Sequence, residues 1–181
     1  MSVLGIIALV FGIAGVLLTI KQSIWCWPAA LVSVVTSGYE FYESRLFGDM
    51  ALQVFYFIAG VYGWVYWEKN RLKEFIVSKF PLKLIFPLLA ITIIQAIIYY
   101  FLLSYFKGDK VVFDAILTAC SITATYMMIK KWIENWLCWV LIDFAYIALY
   151  GLKDLWLYAI LYFVFTLMAA YGFYTWKKQK S

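Results

Sequence analysis

Glu134 to Tyr150 reads E-N-W-L-C-W-V-L-I-D-F-A-Y-I-A-L-Y, and its reading decides the fold. The stretch is apolar enough to enter a bilayer, yet it carries one acid in its middle. As a helix, it places Trp136, Trp139, Asp143, Tyr146 and Tyr150 on one face, because their spacing follows the helical repeat. That face holds two indoles, a carboxylate and two phenols. Asp143 lies about 13 Å along the helix from Glu134 at 1.5 Å per residue, near the middle of a ~30 Å hydrocarbon core. An Asp at that depth costs roughly 2.5–3.5 kcal/mol, and seven aliphatic or Phe side chains return about 0.5 each. A helix so nearly balanced needs partners, and its acid should face protein or water rather than lipid.

The rest of the chain agrees. Of 181 residues, 66% are hydrophobic and 14% are charged, the balance of a polytopic membrane protein in a lipid bilayer. The net charge of +5 does not indicate nucleic acid, because the basic residues sit in short loops between apolar segments. The chain has no His, which removes the usual proton shuttle and the commonest metal ligand. Cys26, Cys120 and Cys138 have no metal or disulfide spacing and read as small core residues. No cofactor or metal is expected. Val3 to Ile20 lacks a basic leader and a cleavage site, and reads as a retained helix.

Seven transmembrane helices are expected, at about 3–20, 24–42, 49–67, 82–104, 111–129, 134–150 and 155–176. Lys and Arg are divided unequally between the two sides. Lys21, Lys69, Arg71, Lys73, Lys79, Lys83, Lys130, Lys131, Lys177, Lys178 and Lys180 fall on one side, and Arg45, Lys107, Lys110 and Lys153 on the other. The side with eleven should be cytoplasmic, so the N-terminus is outside and the C-terminus inside a bacterial inner membrane.

The sequence also matches itself at a shift of 109 residues. Lys21 pairs with Lys130, Trp27 with Trp136, Leu46 with Leu155, Tyr62 with Tyr171, Gly63 with Gly172 and Trp67 with Trp176. Residues 1–67 and 111–181 thus form two three-helix repeats, and 68–110 holds a basic loop and one linking helix. The linking helix turns the second repeat to run the same way as the first, a parallel 3+1+3 arrangement known among transporters. The differences between the repeats matter more than the matches. Ala30, Val34, Ser37 and Phe41 stand where the second repeat has Trp139, Asp143, Tyr146 and Tyr150. The sixth helix is therefore the one expected to read a ligand.

Other polar positions support it. Gln53 and Tyr56 lie on one face of the third helix and offer hydrogen bonds, and Tyr162 echoes Gln53 in the seventh. Glu40 sits near the outer end of the second helix, as a mouth residue. Asp114 reads as a helix-start acid. Trp25, Trp27, Trp67, Trp132 and Trp176 flank Lys residues and are expected in an aromatic belt at the membrane surface. Trp136 divides evenly between belt and site. A carboxylate among indole and phenol rings suits a flat cation, since each ring face is worth about 0.5–2 kcal/mol and the acid supplies the counter-charge.

The segments W-C-W-P, G-D-M-A-L-Q-V-F-Y and Y-G-W-V-Y-W in the first repeat resemble the PnuC family of bacterial vitamin transporters. So do E-N-W-L-C-W-V-L-I-D, L-Y-A-I-L-Y and Y-G-F-Y-T-W in the second. The resemblance implies an all-α 3+1+3 fold like that of the SWEET sugar facilitators, assembled as a homotrimer. It also implies facilitated diffusion of nicotinamide riboside, followed by trapping through a cytoplasmic kinase. The family's W-x-x-W falls on Trp136 and Trp139. An Asn follows the first Trp in the nicotinamide riboside form. Here that position is Leu137, and Asn135 precedes the Trp. A similar branch carries thiamine, whose thiazolium is also a flat cation.

Other classes fit less well. A retinal receptor needs a Lys within the last helix, and none lies between Lys153 and Lys177. An intramembrane enzyme needs paired acids, a nucleophile dyad or metal ligands, and no such set is present. The alternatives that remain are a proton-coupled vitamin symporter and a seven-helix receptor or sensor.

Overall fold

The computed structural model describes residues 2–43, 47–71, 76–105, 111–152 and 156–179. Arg45, Lys73, Lys107, Lys110, Lys153 and Lys180 of the charge count, and the Leu46–Leu155 match, lie outside them. The described residues form α1 (Val3–Ile20), α2 (Cys26–Glu43), α3 (Phe47–Asn70), α4 (Ile85–Tyr105), α5 (Val111–Ile129), α6 (Asn135–Leu152) and α7 (Trp156–Gln179). A single 3₁₀ turn, Leu82–Leu84, leads into α4. The protein is thus all-α, as its apolar segments require.

Five of these helices are long and apolar enough to cross a membrane by length and composition: α1, the stretch Leu82–Tyr105, α5, α6 and Ala159–Gln179. Among the described residues α2 and α3 are not in that set. α2 carries Ser33, Thr36, Ser37, Glu40 and Glu43, and α3 carries Asp49, Gln53, Glu68 and Lys69. Both are long enough to span.

The chain forms two compact units, Met1–Phe75 and Ile76–Ser181. In the first unit α2 is the middle helix and packs on both α1 and α3. Ser2 caps α1, its Oγ accepting from the Gly5 N–H at 2.9 Å. Ser33 of α2 donates to the Ala8 carbonyl of α1 at 2.7 Å, satisfying a hydroxyl that lipid could not. Gly15 lets α1 approach the backbone of α2, where an added Cβ would sit 3.5 Å from the Ala30 nitrogen. On the other side of α2, Trp27 lies flat against Gly63 of α3. A Cβ on Gly63 would stand 2.2 Å from the indole ring. Trp67 meets Trp27 edge to face, 5.3 Å between centroids at 89°.

The second unit packs in chain order, α4 on α5, α5 on α6 and α6 on α7. α5 is the most buried helix. Its Ser121 and Thr125 hydroxyls return to the carbonyls of Leu117 and Ser121, each at 2.8 Å, so small polar residues sit in the core with their hydrogen bonds made. Thr92 of α4 joins Thr123 of α5 at 2.7 Å, and Gln95 reaches the same hydroxyl at 3.5 Å. α6 and α7 repeat the indole packing of α2 and α3. Trp136 covers Gly172, with a would-be Cβ 2.7 Å away, and meets Trp176 at 5.3 Å and 86°.

Several helix limits in the two units differ by 109 residues. α2 and α6 start at 26 and 135 and end at 43 and 152; α3 and α7 run 47–70 and 156–179. The two left-handed turn residues, Gln22 and Lys131 with φ of 53° each, are also 109 apart. Each lies in the tight turn that follows the first helix of its set.

One element has no counterpart in the first unit. Residues 77–80 lie along the α5–α6 turn as a short strap. Ser78 donates to the Lys131 carbonyl at 3.1 Å and accepts from the Ile133 N–H at 2.9 Å. The Phe80 N–H donates to Glu134 Oε2 at 2.7 Å. The Phe80 ring meets Trp132 edge-on at 5.1 Å, and Tyr126 does so at 5.7 Å.

The expected aromatic belt needs correction. Trp27, Trp67, Trp132 and Trp176 are buried in protein, and Trp25 alone of the five is exposed, at 67%. Trp27 packs on Gly63, Trp67 and Trp176 pack edge-on against Trp27 and Trp136, and Trp132 meets the strap, so these four indoles are held inside the fold.

Candidate functional site

α6 positions the site because its helical register turns one stripe toward the interior of the second unit. Along that stripe Trp136 is buried, Trp139 half-buried, Asp143 buried, and Tyr146 and Tyr150 half-buried. Asp143 is 5% exposed. Among the described residues no group hydrogen-bonds or ion-pairs with its carboxylate. Burying a carboxylate is costly unless it is paired or protonated, so Asp143 is the residue of this stripe whose presence most needs an account.

Beyond Asp143 toward the C-terminal end of α6, three tyrosines gather. Tyr146 and Tyr162 stack at 4.6 Å, Tyr150 and Tyr162 at 5.5 Å, and Tyr146 and Tyr150 at 6.0 Å, with planes 20–25° apart. Phe165 meets Tyr162 edge-on at 6.1 Å. Tyr162 comes from α7, so this cluster spans the α6–α7 seam. Tyr150 shares the stripe in sequence. Its place under Tyr162 is a feature of helix packing that spacing within one helix does not reveal.

At the other end of the stripe, Trp136 and Asn135 are enclosed. Asn135 is fully buried; its Nδ2 donates to the Trp132 carbonyl at 2.6 Å and its Oδ1 has no partner among the described residues. The Trp136 indole N–H is likewise unpartnered. So is that of Trp27, its counterpart in the first unit. The orphaned indole N–H therefore belongs to the packing shared by both repeats. Trp136, set against Gly172 and Trp176, is a packing residue first, which separates it from Trp139 one turn further on.

Gln53, Tyr56 and Glu40 belong to the first unit, and Asn135, Trp136, Trp139, Asp143, Tyr146 and Tyr162 to the second. Gln53 packs beside Gly38 of α2, where an added Cβ would touch its side chain at 3.4 Å. Tyr56 meets Phe55 edge-on at 5.9 Å. Glu40 accepts a hydrogen bond from the Ser2 hydroxyl, the residue that caps α1. It thus fastens the start of α1 to the end of α2. Among the described residues no group of three or more Cys, Asp or Glu could hold a metal ion. A groove of about 550 Å³, lined by Tyr100, Ser104, Phe113, Leu149 and Leu152 among others, opens on a different face of α6 from the Asp143 stripe.

Comparison with known proteins points one way. The family model described as "Nicotinamide mononucleotide transporter" matches residues 2–178. The nicotinamide riboside transporter PnuC of Escherichia coli (strain K12) is 25% identical over 174 residues, covering 81% of this chain and 73% of that one. The nicotinamide riboside transporter PnuC of Haemophilus influenzae is 23% identical over 181 residues, covering 95% and 79%. The crystal structure of the vitamin B3 transporter PnuC superposes with a TM-score of 0.77 at 21% identity, over 97% of this chain and 81% of that one. The last match speaks for the fold.

Proposed function

The chain belongs to the nicotinamide mononucleotide transporter family, and on that premise we propose that it carries a flat cationic B-vitamin, nicotinamide riboside or thiamine, across the bacterial inner membrane. It is a membrane transporter and not an enzyme. The observation that carries the choice of substrate is Asp143. It is buried, it has no partner among the described residues, and it lies on one face with Trp139 and Tyr146. A fixed positive charge in a planar ring matches that set, since an indole face attracts the cation and the carboxylate neutralises it. The first repeat has Ala30 and Val34 at the same places and offers no such match.

In this reading the ring stacks on Trp139 and lies beside Asp143, with Tyr146 next along the stripe. Transport is facilitated diffusion: the site has one deep acid, the chain has no His, and the relatives named above are vitamin transporters. A cytoplasmic kinase then traps the product. The N-terminus is outside, the two repeats run parallel as in the SWEET facilitators, and the assembly is a homotrimer.

Equilibrium binding of nicotinamide riboside and of thiamine to the purified chain in detergent tests the site. One of the two binds saturably. Asp143→Asn weakens that binding by about 1.5–3 kcal/mol, roughly 10- to 150-fold. Trp139→Ala costs about 1–3 kcal/mol through lost stacking and cation–π attraction. If both variants stay folded and bind the vitamin as wild type does, the reading fails.

A further inference from the structure

The three tyrosines at the α6–α7 seam are arranged in a way that the substrate reading does not use. Their centroids form a triangle with sides of 4.6, 5.5 and 6.0 Å, and their planes lie within 25° of parallel. A simple column of three rings would separate the two end rings by about twice the stacking distance. The triangle means instead that Tyr162 of α7 packs against both Tyr146 and Tyr150, which stand one turn apart on α6. Elsewhere indoles meet their neighbours edge to face, as Trp27 with Trp67 at 89°, Phe80 with Trp132 at 86° and Trp136 with Trp176 at 86°. Edge-to-face packing suits permanent core contacts, because it pairs ring hydrogens with a π face. Parallel overlap is also the geometry in which one flat ring can take another's place.

All three tyrosines are also only half-buried, unlike the indoles of the core. At the corresponding positions the first repeat has Ser37, Phe41 and Gln53, a single aromatic ring among three. The feature is thus specific to the repeat that carries Asp143. Tyr146 follows Asp143 by three residues and Tyr150 by seven, one and two turns along the same stripe.

We infer that Tyr146 and Tyr150 form a two-ring platform for a flat aromatic cation, and that Tyr162 is an internal stand-in that covers the platform until such a ring displaces it. The platform supplies the second aromatic face of the site, on the side of Asp143 opposite Trp139. This rests on the reading of Asp143 and Trp139 given above. Displacement has a measurable consequence. A site covered by its own side chain binds with an affinity reduced by the fraction of time it is uncovered. Removing the cover should tighten binding, whereas removing the platform should weaken it.

The test is equilibrium binding of nicotinamide riboside and of thiamine to the purified full chain. Variants are Tyr150→Leu, Tyr162→Ala and Tyr162→Phe, with melting temperature recorded for each. Tyr150→Leu is expected to raise Kd about tenfold. Tyr162→Ala is expected to lower Kd by about three- to tenfold despite a lower melting temperature. Tyr162→Phe keeps the ring and loses only the hydroxyl, so its Kd should stay within twofold. Weaker or unchanged binding in Tyr162→Ala overturns the inference, as does a Tyr162→Phe variant that loses affinity, because Tyr162 would then be a direct ligand. Should Tyr150→Leu fail to fold, Tyr162→Ala alone decides. Asp143→Asn and Trp139→Ala in the same series keep the two claims apart: if these weaken binding and Tyr162→Ala also weakens it, the stand-in is wrong and the substrate reading survives.

Discussion

At the residue scale, the same side-chain types serve two ends, and burial separates them. Trp136 and Trp139 are three residues apart and look alike in sequence. Trp136 fills the space that Gly172 leaves, and Trp139 does not share that slot. The pairing was legible, since Trp27–Gly63 and Trp136–Gly172 recur at one shift. What it meant was not, because a Trp beside Lys is also what a membrane surface selects. Gly172→Ala tests the packing role. Its Cβ would stand 2.7 Å from the Trp136 ring, so the indole or the helix must move. The expected cost is about 1–3 kcal/mol of stability, read as a lower melting temperature of the purified chain. Gly63→Ala should behave in the same way against Trp27, where the gap is 2.2 Å. A melting temperature unchanged by either substitution would mean that the close contact is not needed.

At the element scale, most helices could be placed from apolar runs alone. α1 and α5 fall on the expected limits, and α6 and α7 within three residues of them. The strap could not be foreseen. Residues 76–81, I-V-S-K-F-P, lie in a stretch that reads as a basic loop, and their order depends on partners more than fifty residues away. Glu134 is the side chain that ties the strap to the start of α6. Glu134→Ala leaves the part-buried Phe80 N–H without its acceptor, at a cost of about 1–3 kcal/mol. Hydrogen exchange at Phe80 should accelerate while α1 to α3 keep their protection. Unchanged exchange there would show that the strap holds without the carboxylate.

At the scale of the whole molecule, the seven helices were open to sequence reading, because they rest on composition. The tyrosine platform was not, because stacking across a seam depends on how two helices meet. Orientation is the first question to settle at this scale. In a background without Cys26, Cys120 and Cys138, a single cysteine in place of Lys110 should label from outside the cell, and one in place of Lys178 only after the membrane is opened. The reverse pattern would invert the topology.

The central claim is that this chain lets a flat cationic vitamin pass down its gradient by way of Asp143. Uptake of labelled nicotinamide riboside and thiamine into sealed liposomes containing the purified protein tests it most directly. One of the two should enter saturably and level off at the outside concentration, with or without a proton or sodium gradient, and Asp143→Asn should slow that entry at least tenfold at low substrate. Accumulation above the outside level when a gradient is imposed would contradict facilitated diffusion, and entry of neither vitamin would contradict the substrate itself.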